Sequence, residues 1–410
     1  MHPFFALTAG LCCCLLAATP LKAEPGIVIS LASVGDRIRA ENPGLAAARL
    51  RIREAQGRMK QSGRLTNPEL GIELSHDPRF RERSFEIGFS QRFPVTNRLK
   101  LEKEVSATEV KVAEAEIREV ERQLIAEARS GIVKVLAVRK RRELLKDQSK
   151  LAADFADFLS QVAEKGEGSK LDAGQAKLEA AGLGLEMRQI DAEETAAVGS
   201  LKPLLGILPE QPLHVGGTLP EAAIPGAGVD PSRRPDFQAA VLSAQAAAQG
   251  VAVEQSKRYQ DVEAGVFASI DRTEDVPDGY DREGMVGVRF TLPLPIWDKN
   301  EGAIEEAQAK KERSEKEAKA LARGIRLEAE TAKAEMEQWA KLLTETSDIL
   351  LPLAEEQAKA TEDAYRKGQG EIQSVFRSRE KRGQLLASRL DALREFNLAR
   401  VRYESALAKP

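Results

Sequence analysis

Hydrophobic and polar positions follow two different periods along this chain, and both periods occur in each half. Apolar residues occupy every second position in two neighbouring segments of each half, a pattern typical of strands with one apolar face. The segments contain Leu70, Ile72 and Leu74; Phe85, Ile87 and Phe89; Ala264, Val266, Ala268 and Ile270; and Val286, Val288, Phe290 and Leu292. They predict two strand pairs, within residues 67–92 and 261–292.

A very long helical pattern follows each strand pair and its proline turn. The two patterns run from about Arg98 to Lys165 and from about Asn300 to Lys367, and each would extend roughly 100 Å at 1.5 Å per residue. Apolar residues recur at steps of three or four, the spacing of coiled coils, so partner helices should cover them. Pro352 interrupts the second pattern and predicts a kink or a split there, because proline removes a helical hydrogen bond.

The same order of elements occurs twice. Each half opens with a helix, and each long helix stops at a glycine pair and is followed by a return helix. The pairs, Gly166/Gly168 and Gly368/Gly370, lie 202 residues apart. Such repetition predicts two structural repeats, residues 24–207 and 233–410. The stretch 208–232, rich in proline and glycine, is predicted to be an irregular connection packed outside the helices. A flexible linker between independent domains is the alternative.

The N-terminus is predicted to be a signal peptide, residues 1–23. The apolar run Phe4–Ala18 is too short to span a bilayer comfortably, and small Ala23 ends a passable cleavage site. An uncleaved anchor and a lipoprotein acylated at Cys12, Cys13 or Cys14 are the alternatives. All cysteines lie in this segment, so thiol catalysis, disulfides and thiolate metal sites are excluded for the exported chain. No later apolar stretch reaches 18 residues, so the chain would enter a membrane with β-strands.

Composition narrows the function further. Charged residues make up 30% and aromatic residues 5% of the 410 residues, a mixture typical of long or coiled helices. The formal net charge is only -3, with both signs interleaved, so no affinity for nucleic acid is expected. The chain lacks a phosphate-binding glycine loop and a Gly-x-Ser-x-Gly elbow. An enzyme is therefore the least favoured class, and neither catalytic residues nor a cofactor is expected.

Metal binding is not predicted either. The only histidines after residue 23 are His76 and His214, and neither has a second histidine at ligand spacing. Four aspartates in the second strand pair's loop lack the fixed spacing of a calcium loop, so a solvated extracellular loop is predicted. They are Asp271, Asp275, Asp278 and Asp281.

Four short amphipathic strands cannot close into a barrel alone, because their outer edges would stay unpaired. A ring of identical subunits removes these edges and also covers the helical seams. The sequence therefore predicts a tube in which strands cross the outer membrane and helices of about 100 Å cross the periplasm.

Several motifs, in their order and spacing, carry a family resemblance. They are Asn67-Pro68-Glu69-Leu70, Arg234-Pro235-Asp236, the run from Leu294 to Gly302, and Leu351-Pro352-Leu353-Ala354-Glu355-Glu356 leading to Tyr365-Arg366-Lys367-Gly368. With these, essentially the whole mature chain resembles the TolC family of outer membrane efflux proteins, nearest the CzcC-type branch of heavy-metal and cation efflux channels.

The resemblance implies a mainly α-helical fold with a small β part. Three subunits would form a helical barrel and a 12-stranded transmembrane β-barrel, with four strands from each subunit. It further implies the outer membrane of a Gram-negative bacterium, with the helices extending into the periplasm. The implied partners are two further copies, outer-membrane lipid, a periplasmic adaptor and an inner-membrane RND-type pump. Metal cations or small toxic compounds would be the cargo.

The same resemblance directs attention to the two hairpin tips, where a tight reversal needs glycines with positive φ. It implies that Asp172 belongs to a latch that closes the tip and that Tyr365 is its aromatic partner. The alternatives are that Asp172 caps the return helix and that Tyr365 only packs. The other tip candidates are Gly166, Gly168, Arg366, Gly368, Gly370 and Glu371.

Two tip positions depart from the family pattern. Ser374 and Arg377 stand where the best-known members carry aspartates that form acidic rings. Three copies of Arg377 would make a positive ring at the constriction, unless Glu371 or Glu380 neutralises it. The alternative is that Arg377 faces a neighbouring helix or the adaptor.

Two other functions stay open at the level of sequence. One is a type I secretion channel that passes polypeptides through the same architecture. The other is a periplasmic coiled-coil scaffold without a pore, against which the paired strands of both halves argue.

Overall fold

The computed structural model describes residues 26–226, 228–275, 277 and 279–408. The predicted signal peptide, its three cysteines and Asp278 lie outside these residues. The helices are α1 (Val34–Glu41), α2 (Pro43–Gln61), α3 (Arg98–Glu164), α4 (Lys170–Leu204), α5 (Pro235–Ser256), α6 (Glu301–Glu345), α7 (Leu351–Arg366) and α8 (Ile372–Ala406). The strands are β1 (Ile27–Ile29), β2 (Glu69–His76), β3 (Arg83–Phe93), β4 (Leu213–Val215), β5 (Val262–Asp275) and β6 (Gly279–Thr291).

The two predicted strand pairs join into one antiparallel sheet of order β2-β3-β5-β6. Its register aligns Leu70, Phe89, Val266 and Val288 across all four strands. Because side chains alternate between faces, the apolar residues of all four segments share one face. Most of them are exposed in the single chain; Val288, for example, is 67% exposed. The alternation read from the sequence is confirmed, and the register extends it into a continuous apolar surface.

The opposite face of the sheet is polar and rich in glycine. Arg289 donates to Glu86 at 2.9 Å and lies 4.9 Å from the centre of the Phe267 ring. That ring covers Gly287, where a Cβ atom would come within 2.5 Å of it. Glycine therefore lets the aromatic ring lie flat on the sheet. One face of the sheet is thus apolar and the other polar, which is also the contrast between the lipid side and the channel side of a membrane pore.

The two repeats pack together as one body. The helix α3 packs against α4 within its own repeat and against α5 and α8 of the other repeat, while β3 of the first repeat pairs with β5 of the second. These contacts contradict the alternative of independent domains joined by a flexible linker.

The connection between the repeats packs on the helices, as predicted, but it is not wholly irregular. Its strand β4 pairs in parallel with β1, and the Asn397 amide donates to the Pro220 carbonyl at 2.9 Å. The strands β1 and β4 were not predicted, because three residues are too few to show a period.

The second long helix is interrupted where proline predicted it. A π-helical turn, Thr346–Leu350, separates α6 from α7, and Pro352 is the second residue of α7. Proline has no N–H and its ring clashes with the carbonyl four residues before it, so a widened turn there is the expected relief. The helix α3 has no proline and runs unbroken for 67 residues.

The helices α2 and α5, which precede the strand pairs of the two repeats, begin differently. Asn42 is 5% exposed; its side chain accepts from the Leu45 amide and donates to the Leu204 carbonyl, both at 2.7 Å. At the matching place Arg234 donates twice to Asp236 and once to Glu328 of α6, at 2.5–3.0 Å. The capping amide of Asn42 thus links the start of α2 to α4, and the buried Arg234 links the start of α5 to the exposed Glu328 of α6.

Candidate functional site

The two hairpin tips have the same backbone geometry. Gly166 ends α3 with φ of 78° and Gly368 ends α7 with φ of 72°. In both turns the amides of the glycine and of the next residue donate back to carbonyls of the last helical turn, at 2.9–3.1 Å. This is the Schellman arrangement, which uses a left-handed residue to satisfy the last carbonyls of a helix.

The second glycine of each tip has another role. Neither Gly168 nor Gly370 has positive φ, so the reason given for glycine in the sequence analysis is wrong for these two. Instead, a Cβ atom at residue 168 would lie 2.9 Å from the Val162 side chain, and one at residue 370 would lie 3.2 Å from the Tyr365 amide nitrogen. Close approach to the preceding helix is what requires glycine there.

The two predicted latch residues are in contact within one chain. The Tyr365 hydroxyl donates to a carboxylate oxygen of Asp172 at 2.9 Å, which links the end of α7 to the start of α4. Burial, and then the hydrogen bond and charge of Asp172, raise the pKa of Tyr365 to about 12. The cap of α4 is Ser169, whose hydroxyl accepts from the Asp172 amide at 3.3 Å. Asp172 is therefore not the capping residue, and its carboxylate bonds to tyrosine.

A second link beside the first was missed in the sequence. Glu362 of α7 accepts from Arg379 of α8 at 2.6 Å and from Arg366 at 2.8 Å. Burial opposes the charged form of Glu362, but the hydrogen bonds from both arginines outweigh it and lower its pKa. Arg379 also lies 4.1 Å from the ring centre of Phe155, and Arg366 lies 4.9 Å from that of Phe158. Of the residues that form this second link, only Arg366 was among the tip candidates predicted from the sequence.

Three aromatic rings pack together at the tip. Phe155 meets Tyr365 and Phe376 edge to face, with ring centres 6.3 and 6.4 Å apart. They cap a small apolar cluster shared by α3, α4 and α8. The sequence contains a signal for this cluster, because phenylalanines occur near both tips of a chain that has only 5% aromatic residues.

The remaining tip candidates lie apart from these links. Arg377 is exposed, and its one contact among the described residues is a long bond of 3.4 Å from Nε to the Gln373 carbonyl. Glu371 is exposed at the start of α8 and makes no capping bond with its side chain, and Ser374 is half-buried. The alternative interpretation, in which Arg377 faces a neighbouring helix or the adaptor, stays a prediction.

A groove of about 1140 Å³ opens above the tip between α4 and α7, with α3 and α8 as its base. Charged side chains of both signs line it. Burial raises the pKa of Glu179 on its α4 wall; nearby Arg379 opposes this effect and Glu380 reinforces it. The groove is a wet, charged space and not an enclosed ligand cavity.

Two properties of the described residues bear on metal binding and membrane contact. Within residues 26–408, apart from the gaps given above, no three or more side chains of the metal-binding types gather at one place. His76 stacks on Phe80, with ring centres 4.0 Å apart. In that same part of the chain, every helix is too short or too polar to span a bilayer.

Comparisons with known proteins agree with this architecture. The family described as "Outer membrane efflux protein" matches residues 34–206 and 231–394. The cobalt-zinc-cadmium resistance protein CzcC of Cupriavidus metallidurans is 25% identical over 296 residues, which cover 70% of this chain and 66% of CzcC, just under two thirds of that relative.

Solved channel structures have the same fold. The structure of CusC, described with its transmembrane channel formation, aligns with a TM-score of 0.77 at 14% identity and covers 93% of this chain and 92% of CusC. The outer membrane protein VceC from Vibrio cholerae aligns with a TM-score of 0.74 at 18% identity, covering 92% of this chain and 96% of VceC.

Proposed function

Since this chain belongs to the outer membrane efflux protein family, we propose that it is the outer-membrane channel subunit of a tripartite exporter. Three copies form a passive exit duct that crosses the outer membrane and the periplasm. A periplasmic adaptor joins this duct to an RND-type pump in the inner membrane, which supplies the energy.

The continuous apolar face of the sheet is the observation that carries this proposal. Its residues align across four strands and are exposed in the single chain, while the other face holds charges and glycines. The edge strands β2 and β6 have backbone groups without a strand partner. A ring of copies pairs these edges and turns the apolar face toward lipid, which a scaffold without a pore does not need.

The proposed cargo is of the metal-cation class. Its support is the relative CzcC, whose name states resistance to cobalt, zinc and cadmium. The described part of this chain contains no cluster of metal ligands, so the duct would pass cations without binding them tightly. Selection of the cargo then belongs to the pump.

The tip links are proposed to form the closed gate. The bond from Tyr365 to Asp172 and the ion pair from Arg379 to Glu362 hold the start of α4, the end of α7 and the start of α8 together. Partly buried links to a charged group of this kind contribute only about 1.5–3 kcal/mol each, so binding of the adaptor can open them.

Arginine substitutions on the two faces of β6 test the proposed contact with lipid. Val288→Arg places a charge on the apolar face, at a cost of about 2–4 kcal/mol if it meets the bilayer midplane. Met285→Arg, three residues away on the polar face, is the matched control. We expect the control to insert into planar lipid bilayers and conduct as the unaltered protein does, and Val288→Arg to fail. Absence of conductance from the unaltered purified protein would favour the scaffold.

A further inference from the structure

A second cavity, of about 250 Å³, lies far from the tip, where α3 of the first repeat meets the start of α5 and the end of α8 of the second. Among its described lining residues, five are arginines and one, Glu121, is acidic. The arginines are Arg39, Arg118, Arg122, Arg129 and Arg233. We call this cavity the arginine pocket. Its positive lining is unusual in a chain whose charges are nearly balanced.

Three of the five arginines share one face of α3. Arg118 and Arg122 are four residues apart, and Arg129 follows seven residues later, which places all three in line along the helix. Like charges at four-residue spacing destabilise a helix. Arg122 is neutralised by Glu119, which accepts at 2.5 Å. The other two arginines of this face have no such close carboxylate among the described residues.

Arg118 and Arg233, at the rim of the pocket, are incompletely paired. Arg118 is exposed and donates to the neutral amide oxygen of Gln238 at 3.0 Å. The carboxylate of Asp230 lies 3.6 Å from Arg233, beyond hydrogen-bond distance, and it already accepts from the amide and hydroxyl of Ser232. Both guanidinium groups therefore keep donors free for a further acceptor.

Arg129 lies deeper and is the most demanding of the five. Its side chain is only 18% exposed, and its buried Nε atom has no hydrogen-bond partner in the part of the chain that the structure describes. The carboxylate of Glu404 is 3.9 Å away and accepts instead from Arg400 at 2.8 Å. A buried charged donor without an acceptor is costly. A ligand oxygen in the pocket would remove that cost.

The size and the donors of the pocket define the ligand. Pockets for drug-sized molecules usually measure about 300–1,000 Å³, so this cavity suits a smaller one. Guanidinium groups bind phosphate and carboxylate oxygens two at a time, and a tetrahedral anion presents oxygens in several directions at once. The first turn of α5 also borders the pocket through Pro235 and Gln238, and the N-terminus of a helix favours negative charge.

From these observations we propose that the arginine pocket binds a small tetrahedral oxyanion of the phosphate class, held by Arg118, Arg129 and Arg233. The anion is either free phosphate or the phosphate group of a small ester. It bridges α3 and the turn before α5, Pro231–Arg233, and so ties the two repeats together with charge as well as by packing.

A lipid headgroup is not the source of the phosphate in the proposed duct. Arg118 and Arg129 lie 20 and 31 residues after Arg98, the first residue of α3, which is about 30 and 47 Å along the helix. With the sheet in the outer membrane, the pocket lies well inside the periplasm. This location rests on the proposed function, whereas the binding site itself does not.

Calorimetric titration of the purified full chain in detergent tests the site. Inorganic phosphate and glycerol phosphate are titrated separately in chloride buffer of fixed ionic strength. We expect saturable binding, with a Kd that rises at least about tenfold in Arg129→Gln, because a hydrogen bond to a charged group is lost. Arg118→Gln, at an exposed position that does not endanger folding, should have a similar effect. In the matched control Arg142→Gln, on the same helix but paired with Asp191 outside the pocket, the Kd should stay within about twofold.

Thermal unfolding provides a second measurement. Phosphate salts stabilise proteins in general because they are excluded from the surface, so only the saturable part of the shift reports the site. That part should be present in the unaltered chain and in Arg142→Gln and should be lost in Arg118→Gln. An equal rise of Tm in all these proteins overturns the site.

The two titrants distinguish the sources of the anion. Tighter binding of inorganic phosphate assigns the pocket to the free ion, and tighter binding of glycerol phosphate assigns it to an ester. Absence of saturable binding for both rejects the pocket as an anion site. That result leaves the channel proposal intact, because the apolar face of the sheet carries it.

Discussion

At the scale of single residues, the tip depends on a tyrosine that stays protonated. Its pKa of about 12 lies above the ordinary 10.0, so Tyr365 donates to Asp172 over the whole physiological range. For a group whose pKa is raised on folding, the stabilisation is complete below pH 10 and is lost as the pH rises through about 12.

Tyr365→Phe removes this donor and keeps the ring that packs on Phe155. We expect a leakier tip, because a hydrogen bond to a carboxylate contributes about 1.5–3 kcal/mol. Single-channel recordings should show a larger or more frequent open state in the variant. Tyr259→Phe, a matched change at an exposed tyrosine far along the chain from the tip, should leave the recordings unaltered. Equal conductance of all three proteins would remove the latch role from Tyr365.

Acid should loosen the second link. The pKa of Glu362 is lowered from its ordinary 4.5, so its ion pairs stabilise the tip fully above that pH and lose their effect as the pH falls through the lowered value. The protection factors of tip amides against hydrogen exchange, which are corrected for the intrinsic pH dependence of exchange, should therefore fall below pH 4.5 more than those of amides elsewhere. In Glu362→Gln the tip should be looser at neutral pH and lack this acid step; an acid step of the same size in the variant contradicts the assignment.

At the scale of elements, each tip turn contains one residue with a left-handed backbone, and that residue is glycine in both turns. Alanine at Gly368 must adopt a φ of 72°, at a cost of roughly 1 kcal/mol. Gly182 provides the control: it lies inside α4 with open space around it, and alanine there should add up to about 1 kcal/mol of helix stability. Thermal unfolding should shift in opposite directions for Gly368→Ala and Gly182→Ala. A shift in the same direction would argue against backbone strain at the tip.

An element could be predicted from the sequence when it was long enough for its apolar positions to repeat. The strand pairs and long helices were readable because side-chain burial repeats every two or every three to four residues over many positions. The three-residue strands β1 and β4 carry no such signal, and the pairing of β3 with β5 joins residues that are 169 to 189 positions apart. The contact of Asp172 with Tyr365 came from family resemblance, whereas Glu362 and Arg379 were hidden among many similar charges on polar helix faces.

At the scale of the whole molecule, the two repeats have the same order of elements but differ in their long helices. The first long helix is continuous, and the second is divided by the π turn before Pro352. In a ring of three copies the divided helix is the one that ends at the Tyr365 side of the tip. We expect the divided helix, and not the continuous one, to bend when the tip opens.

The charge at the narrowest point is also a property of the assembled ring. Arg377 is exposed and without an ion pair among the described residues, so three copies around a threefold axis would disfavour cations while the tip is closed, before the adaptor opens it for the proposed cation cargo. We expect cation permeability relative to chloride to rise from the unaltered protein to Arg377→Gln, and again to Arg377→Asp, because a removed positive charge and an added negative charge act in the same direction. Reversal potentials in a salt gradient across a planar bilayer measure this order, and low ionic strength should enlarge it because screening is weaker. The same reversal potential in all three proteins would place Arg377 outside the lumen, against a neighbouring subunit or the adaptor.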